Sequence, residues 1–282
     1  MTQKLLFFLC WISTVHFISA QTVAESLLFA REQATTEDRS LALKTYQRVL
    51  FFSGDRYRDE CRSQLAALYA DQGEFEKAAF YCDLLYESAD TDSLRYEALF
   101  SKTGMLMLQN QYKKAILELL SLPKNLPEPW VSRKQLYLGA AHFGIHEFDL
   151  ARIDLLPLIA AENVEGRASF ERLMRQAEQV SRKSPKIART LSFILPGAGQ
   201  FYAGDIKNGV NSILLNALMF VWFINTGVAY TFVEAAMTVA PWIFRYYGGG
   251  IRHAGEIVDI KKEERLRMVF QKLLEEVGKP KM

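Results

Sequence analysis

The stretch "LSFILPGAGQFYAGD", residues 191–205, lies between a charged region and the most apolar part of the chain. Its glycines resemble those of phosphate-binding loops, but neither nucleotide motif fits. A dinucleotide loop needs a third small residue where Tyr202 stands, and a P-loop needs Lys and then Ser or Thr where Asp205 and Ile206 stand. Because an acid there would repel phosphate, the stretch predicts a bend in the chain and not a nucleotide site.

The residues that follow predict a membrane hairpin. Between residues 210 and 247 only Glu234 and Arg245 are charged. Two helices, at about 205–225 and 227–247, would each run ~21 residues or roughly 31 Å, which matches the thickness of a bilayer core. Asp205 is the expected N-cap and residues 225–227 the expected turn. The alternative, two core helices of a soluble domain, is disfavoured because these segments have almost no polar outer face.

Polar side chains inside the predicted spans fall on defined faces. They are Asn208, Ser212 and Asn216 in the first span and Glu234, Thr238 and Arg245 in the second. In an antiparallel hairpin Asn216 would lie level with Glu234 and Thr238, and hydrogen bonds there would join the helices. Arg245 would come within reach of Asp205. An acidic residue inside a membrane is also a candidate for proton or ion handling.

The physical chemistry of the opening stretch predicts how the chain reaches the membrane. Residues 187–203 form an interfacial segment, since the apolar run up to residue 195 is too short to cross and Pro196 ends it. Gly197 and Gly199 allow backbone angles and close approaches that larger residues block. Tyr202 suits the boundary between lipid and water. Gly204 and Asp205 then turn the chain into the first span.

The same stretch resembles the two-transmembrane-helix domain family, whose mark is P-G-x-G-x-x-Y-x-G before a helical hairpin. Every marked position matches, at Pro196, Gly197, Gly199, Tyr202 and Gly204. The resemblance covers about residues 184–264 and includes bacterial members, of the Bacteroidetes envelope type, in which the hairpin follows exported helical repeats. The resemblance implies a helical hairpin in this part of the chain. It implies no activity, because the members of the family share no established reaction.

The first half of the chain contains an internal repeat. Four alanines are spaced by 36, 37 and 36 residues: Ala42, Ala78, Ala115 and Ala151. An aromatic residue stands three positions before each of the last three alanines, at Phe75, Tyr112 and Phe148. This spacing resembles the tetratricopeptide repeat over about residues 24–161, although Lys102 and Thr103 stand where Leu and Gly are expected. The resemblance implies an α-solenoid whose concave face holds a protein or peptide. The alternative is a spacer without a ligand.

The N-terminus and two residue pairs complete the candidates. Residues 1–20 read as a cleaved signal peptide, the alternative being a retained anchor. Export would allow Cys61 and Cys82 to form a disulfide, although two buried free thiols are favoured. His142 and His146 have a zinc-like i, i+4 spacing, but the repeat register puts His146 in a turn, which argues against a metal site.

The predicted orientation contains a conflict. Residues 251–282 are a predicted amphipathic tail helix for the membrane surface or a partner. A signal peptide would export the repeats, and a two-span hairpin would return this tail to the same side of the membrane. Basic residues flank the hairpin at Arg182, Lys183, Lys186, Arg189, Arg252, Lys261, Lys262, Arg265 and Arg267. The positive-inside rule would place them in the cytoplasm. We favour the signal peptide.

Together these patterns predict an all-α chain: repeats at 21–182, a membrane domain at 183–250 and the tail. The predicted protein is a scaffold in a bacterial membrane, the inner one, with its repeats in the periplasm and a protein or peptide in the repeat groove. The alternative is a small transport or regulatory module that uses Glu234. The net charge of +2 does not indicate nucleic acid. No catalytic, cofactor or metal site is predicted, nor an oligomeric state.

Overall fold

The described chain is entirely helical in its regular structure. A computed structural model describes residues 22–36 and 39–278, and the regular elements of these residues are fourteen α-helices and one short 3-10 helix. This confirms the predicted all-α class. Two compact units divide between Trp130 and Val131. The predicted signal peptide lies outside the described residues.

The first unit contains six helices. They are α1 Val23–Ala34, α2 Arg39–Phe52, α3 Arg58–Asp71, α4 Phe75–Ser88, α5 Asp92–Leu108 and α6 Tyr112–Ser121. Each packs against the next helix along the chain, from α1 on α2 to α5 on α6. Local antiparallel packing of this kind follows from the short connections between helices.

The second unit contains the remaining helices. They are α7 Trp130–Gly144, which starts at the division, α8 Phe148–Leu155, the 3-10 helix Leu156–Leu158, α9 Val164–Ser181, α10 Pro185–Ile194, α11 Ala198–Ala203, α12 Ile206–Ala229, α13 Phe232–Thr238 and α14 Ala240–Val277. The longest, α14, packs against α9, α10, α11, α12 and α13. It is therefore the common element of this unit.

The aligned alanines occupy equivalent places in the two units. All four are fully buried: Ala42, Ala78, Ala115 and Ala151. The aromatic residues Phe75, Tyr112 and Phe148 are each the first residue of a helix, α4, α6 and α8. A fully buried alanine one turn into a helix leaves no room for a larger side chain. The repeated small residue thus has a packing reason at each of its four places.

An ionic contact replaces the expected Leu-Gly pair in α5. The Lys102 ammonium lies 2.7 Å from the Asp83 carboxylate and 2.6 Å from the Glu118 carboxylate, so it links α4, α5 and α6. Thr103 is buried, and its hydroxyl donates a hydrogen bond to the Leu99 carbonyl at 2.8 Å. The departure from the repeat pattern is compensated by these polar contacts.

Helix α12 is the one helix of the described residues that is long and apolar enough to cross a membrane. Only 6% of its most apolar window is buried, unlike a core helix of a soluble protein. The helix continues through the predicted turn at 225–227 and ends at Ala229. Gly227 is a helical residue that packs against the Phe232 ring, since a Cβ there would lie 2.5 Å from that ring. The turn comes at Tyr230 and Thr231, where the Thr231 hydroxyl accepts the Glu234 N–H and caps α13.

The second predicted span is divided in the structure. Helix α13 ends at Thr238, and Pro241 is the second residue of α14. Proline lacks an N–H and its ring clashes with the preceding turn, which accounts for the interruption. Helix α14 then continues through the three glycines at 248–250 and runs 38 residues to Val277.

The C-terminal half of α14 is part of a hydrophobic core and not a separate surface helix. Leu266, Val269 and Leu273 are buried in one cluster with Phe170 and Met174 of α9. The apolar face of this half of α14 is therefore covered largely by α9, although Ile260 is exposed. As a result, the predicted boundary at residue 182 lies within a compact unit.

The two histidines do not share a face. The His142 Nδ1 lies 2.7 Å from an Asp154 carboxylate oxygen, while His146 lies beyond the end of α7 with φ 65° and stacks on Phe148. Within residues 22–36 and 39–278 no group of three or more His, Cys, Asp or Glu side chains could hold a metal ion.

Cys61 and Cys82 are free, buried thiols. Burial raises the pKa of Cys61 to about 11 and that of Cys82 to about 12. The thiolate, and not the thiol, is the nucleophile that attacks thiol reagents. Because both thiols stay protonated, both cysteines should react very slowly in the folded protein.

We therefore expect that the folded chain, with residues 1–20 removed, reacts with an aromatic disulfide reagent slowly at pH 8 and still slowly at pH 9. Its rate should rise about tenfold between the two, because the thiolate fraction of a group far below its pKa grows tenfold per pH unit. The same chain in denaturant should react at both cysteines, since an exposed thiol has a pKa of about 8.5. Absorbance of the released thiol measures both rates. Rapid reaction of the native protein would contradict the buried, protonated state.

Candidate functional site

The motif around residue 200 forms a glycine junction, a name we use for residues 192–205 together with Gly250 of α14. Two left-handed glycines shape its backbone: Gly197 (φ 94°) precedes the six-residue α11, and Gly204 (φ 85°) follows it. A Cβ at Gly197 would also lie 2.5 Å from the Gly209 carbonyl oxygen of α12. Other residues rarely adopt these angles, so both places require glycine.

Gly199 lets α11 rest directly on the backbone of α10. A Cβ on it would lie 2.1 Å from the Ala188 carbonyl oxygen and 2.5 Å from the Ser192 hydroxyl oxygen. Its N–H donates a hydrogen bond to that hydroxyl at 3.0 Å. The contact is therefore both steric and polar.

Gln200 joins the junction to α14. Its side chain is 2% exposed, accepts a hydrogen bond from the Ser192 hydroxyl at 3.0 Å and donates one to the Gly250 carbonyl at 3.0 Å. A buried amide satisfied at both ends fixes the position of its neighbours. Sequence reasoning missed Gln200 and Ser192; the available signal was a glutamine in an otherwise apolar stretch.

Tyr202 faces the protein as well as solvent. Its hydroxyl accepts the Ser184 N–H at 3.1 Å, at the start of α10. Its ring packs on a buried cluster of Ala188, Ala203, Ala254, Ile257 and Val258. We predicted a place at the lipid–water boundary, whereas the structure gives this side chain a contact that holds α10 and α11 together.

The loop has no array of free amides. The N–H groups of Ala198, Phe201 and Gly204 donate to carbonyls of the same stretch, the Asp205 N–H donates to the Gln200 carbonyl, and the Gly199 N–H binds Ser192. A phosphate cradle needs several N–H groups that point outward. These five N–H groups of the junction are therefore used within the protein, where they join neighbouring turns and helices.

Asp205 is the N-cap of α12, as predicted. Its carboxylate accepts the Asn208 N–H at 3.1 Å and the Asn208 side-chain amide at 2.8 Å. The backbone hydrogen bond from Asn208, then the side-chain one, holds the pKa of Asp205 below its usual value. Arg245 does not reach this carboxylate; its guanidinium lies 6.0 Å from the Trp242 ring centroid.

The polar residues of the two predicted spans make mainly local contacts. The Asn216 amide donates to the Ser212 carbonyl at 2.7 Å, and the Thr238 hydroxyl donates to the Glu234 carbonyl at 2.7 Å. The predicted hydrogen bonds from Asn216 to Glu234 and Thr238 are absent from the described residues. They fail because the turn lies later than predicted, which shifts Glu234 into the first turn of α13.

We expect Gly199→Ala to lower the thermal midpoint of the full chain strongly, because the new Cβ would collide with backbone that cannot rotate away; overpacking of this kind typically costs about 1–3 kcal/mol or more. Gly248→Ala is the matched control, since nothing lies within 4 Å of a Cβ there and alanine favours helix. Circular dichroism of both variants in detergent measures the midpoints. Equal midpoints for the two variants would refute the close contact.

Comparison of the chain with protein-family models, with curated proteins and with solved structures gives no match.

Proposed function

We propose that this chain is a membrane-anchored helical-repeat scaffold of the bacterial cell envelope that binds a protein partner. One observation carries the proposal: α14 runs unbroken from the apolar segment at its start, past the junction, into the core formed with α9. The last repeat helices would thus be anchored by the same helix that leaves the membrane.

The proposed architecture has a solenoid and a hairpin. In it, the helices of each unit up to α9 form tetratricopeptide-like pairs, supported by the buried alanines at a fixed place in successive pairs. Helix α12 forms the first span, while α13 and the start of α14 form the second. The exposed apolar surface of α12 supports this insertion, because such a surface is unfavourable in water.

The proposed partner surface includes two adjacent aromatic side chains in α2. Phe51 and Phe52 are 80% and 66% exposed, with their ring centroids 5.0 Å apart. They lie beside a cleft of about 450 Å³ lined by Val23, Ser26, Arg48, Val49 and Phe52. Exposed aromatic side chains next to a concavity are typical of protein-binding surfaces. We infer a partner that presents apolar side chains, as in assembly, secretion or insertion of other envelope proteins.

The alternative, a transport module that uses Glu234, has no specific observation in its favour. Glu234 is exposed and occupies the first turn of α13, where its N–H binds the capping Thr231 hydroxyl. A carboxylate in a first helical turn is stabilised by the helix dipole, which explains the residue without ion handling.

We propose that the repeats face the periplasm and that the hairpin lies in the inner membrane. This rests on the sequence of residues 1–20, which favours export. The basic residues on both sides of the hairpin oppose it, so the orientation has its own test below.

A photo-crosslinking residue in place of Phe52 should give discrete crosslinked products in native membranes, whereas the same residue in place of Lys44 should not. Lys44 is an exposed position on the same helix and controls for general proximity. Products should persist in a Glu234→Gln background, since that carboxylate is explained by its place in the first turn of α13 and not by partner binding. Identical products at both positions, or their loss on Glu234→Gln alone, would refute the assignment.

For the orientation, we expect a Lys44→Cys variant to react with a membrane-impermeant maleimide in intact spheroplasts. The native thiols Cys61 and Cys82 give a low background because they are buried. The unsubstituted chain is the control, and permeabilised cells give the full signal. Labelling of Lys44→Cys only after permeabilisation would place the repeats in the cytoplasm.

A further inference from the structure

Two cationic side chains flank the start of α12. Lys183 lies in the link between α9 and α10, and Arg265 lies on α14. They come from residues far apart in the sequence, yet both face the backbone of residues 202–204. Neither Lys183 nor Arg265 has a ligand-binding role in the contacts of the junction described above.

The Arg265 guanidinium lies against Gly204. A Cβ at Gly204 would be 2.8 Å from an Nη of Arg265. The absence of a side chain at Gly204 therefore leaves the space that this guanidinium occupies. The Arg265 side chain is half-buried there.

The Lys183 ammonium approaches the same backbone from the link that precedes α10. It donates a hydrogen bond to the Tyr202 carbonyl at 3.0 Å and lies 5.6 Å from the Tyr202 ring centroid. Burial, and then the nearby Arg265 charge, lowers the pKa of Lys183. Within residues 22–36 and 39–278 neither cation has a carboxylate within 4.0 Å, so two like charges lie close together without a neutralising partner.

The surrounding charges do not neutralise this pair. The Asp205 carboxylate is engaged by Asn208, while Lys261 and His253 also face it. Glu264 is paired with Lys261 at 3.3 Å. The local excess of positive charge would therefore be relieved by an anion from outside the chain.

Apolar side chains lie at the same level. Ile206, the first residue of α12, is 68% exposed, and Phe201 is 40% exposed. Cations at the head of an apolar helix face lie at the depth of lipid phosphates when that helix spans a bilayer. A free phosphate ion would use the cations only, whereas a lipid would also cover the apolar side chains.

We propose that Lys183 and Arg265 bind the phosphate of an anionic phospholipid headgroup, with its acyl chain against Phe201 and Ile206. This inference rests on the proposed insertion of α12 in the membrane. Arg265 supplies planar, paired donors and Lys183 a point charge, a combination suited to a phosphate diester. The lipid would neutralise the repulsion at the place where the first span begins.

The test measures lipid binding to the purified full chain in detergent by native mass spectrometry, with phosphatidylglycerol as the probe and phosphatidylcholine as the neutral-headgroup control. We expect Lys183→Gln with Arg265→Gln to weaken phosphatidylglycerol binding about thirtyfold, from ~1 kcal/mol for each cation. Arg267→Gln with Lys272→Gln is the matched control, because it removes two exposed cations from the same helix. It should leave binding unchanged.

Thermal midpoints without lipid show whether the variants fold. Removal of like charges should not lower them, and the charge-conserving pair Lys183→Arg with Arg265→Lys should retain most of the binding. An equal loss in the control pair, or no loss in the Lys183/Arg265 pair, would overturn the proposal. So would inorganic phosphate that binds as tightly as the lipid and displaces it, which would identify a free-anion site.

Failure of membrane insertion is detected separately. Extraction of the chain from native membranes by alkaline carbonate would refute the proposed span of α12. Retention in the membrane with unchanged lipid binding in the Lys183/Arg265 pair would instead refute the headgroup site alone.

Discussion

The organisation of the second unit depends on one backbone contact, that of Gly199 with the Ala188 carbonyl of α10. Because α11 can lie this close to α10, Gln200 reaches the Gly250 carbonyl and holds α14 beside both helices. Once α14 is held there, its direction brings Leu273 and its neighbours onto α9. A side chain in place of Gly199 would displace the first of these contacts and so all of those that follow.

The continuity of α14 is unusual for its sequence. Three consecutive glycines inside a helix cost about 1 kcal/mol each relative to alanine, which would normally favour a break. Here the bond from Gln200 holds the Gly250 carbonyl, and Gly255 further along leaves room for the Arg189 guanidinium. The helix therefore persists through its contacts at Gly250 and Gly255, whereas a Cβ at Gly248 or Gly249 would have no neighbour within 4 Å. As a result, a single helix, α14, joins the proposed membrane anchor to the core that contains α9.

Local signals in the sequence were reliable where one residue decides the structure. Asp205 caps α12 as predicted, and the alanine register identifies four fully buried positions. Tertiary contacts decided the remainder. Gly227 looks like a turn residue, but it accommodates the Phe232 ring, and the cap at Thr231 sets the turn instead. Gln200, the central polar residue of the junction, has no periodicity or motif that indicates its partners, because these come from two other helices.

The basic residues beside the apolar segment have two physical explanations, and this bears on the conflict over orientation. The positive-inside rule treats flanking cations as charges whose main role is to choose a side of the membrane. In this fold Lys183 binds the Tyr202 carbonyl, Arg265 lies at Gly204 and Arg189 lies across Gly255. Cations with such structural contacts would be retained on either side of the membrane. The number of these cations is therefore weaker evidence for a cytoplasmic location than the same number in an unstructured loop would be. An N-terminal export signal can then determine the orientation.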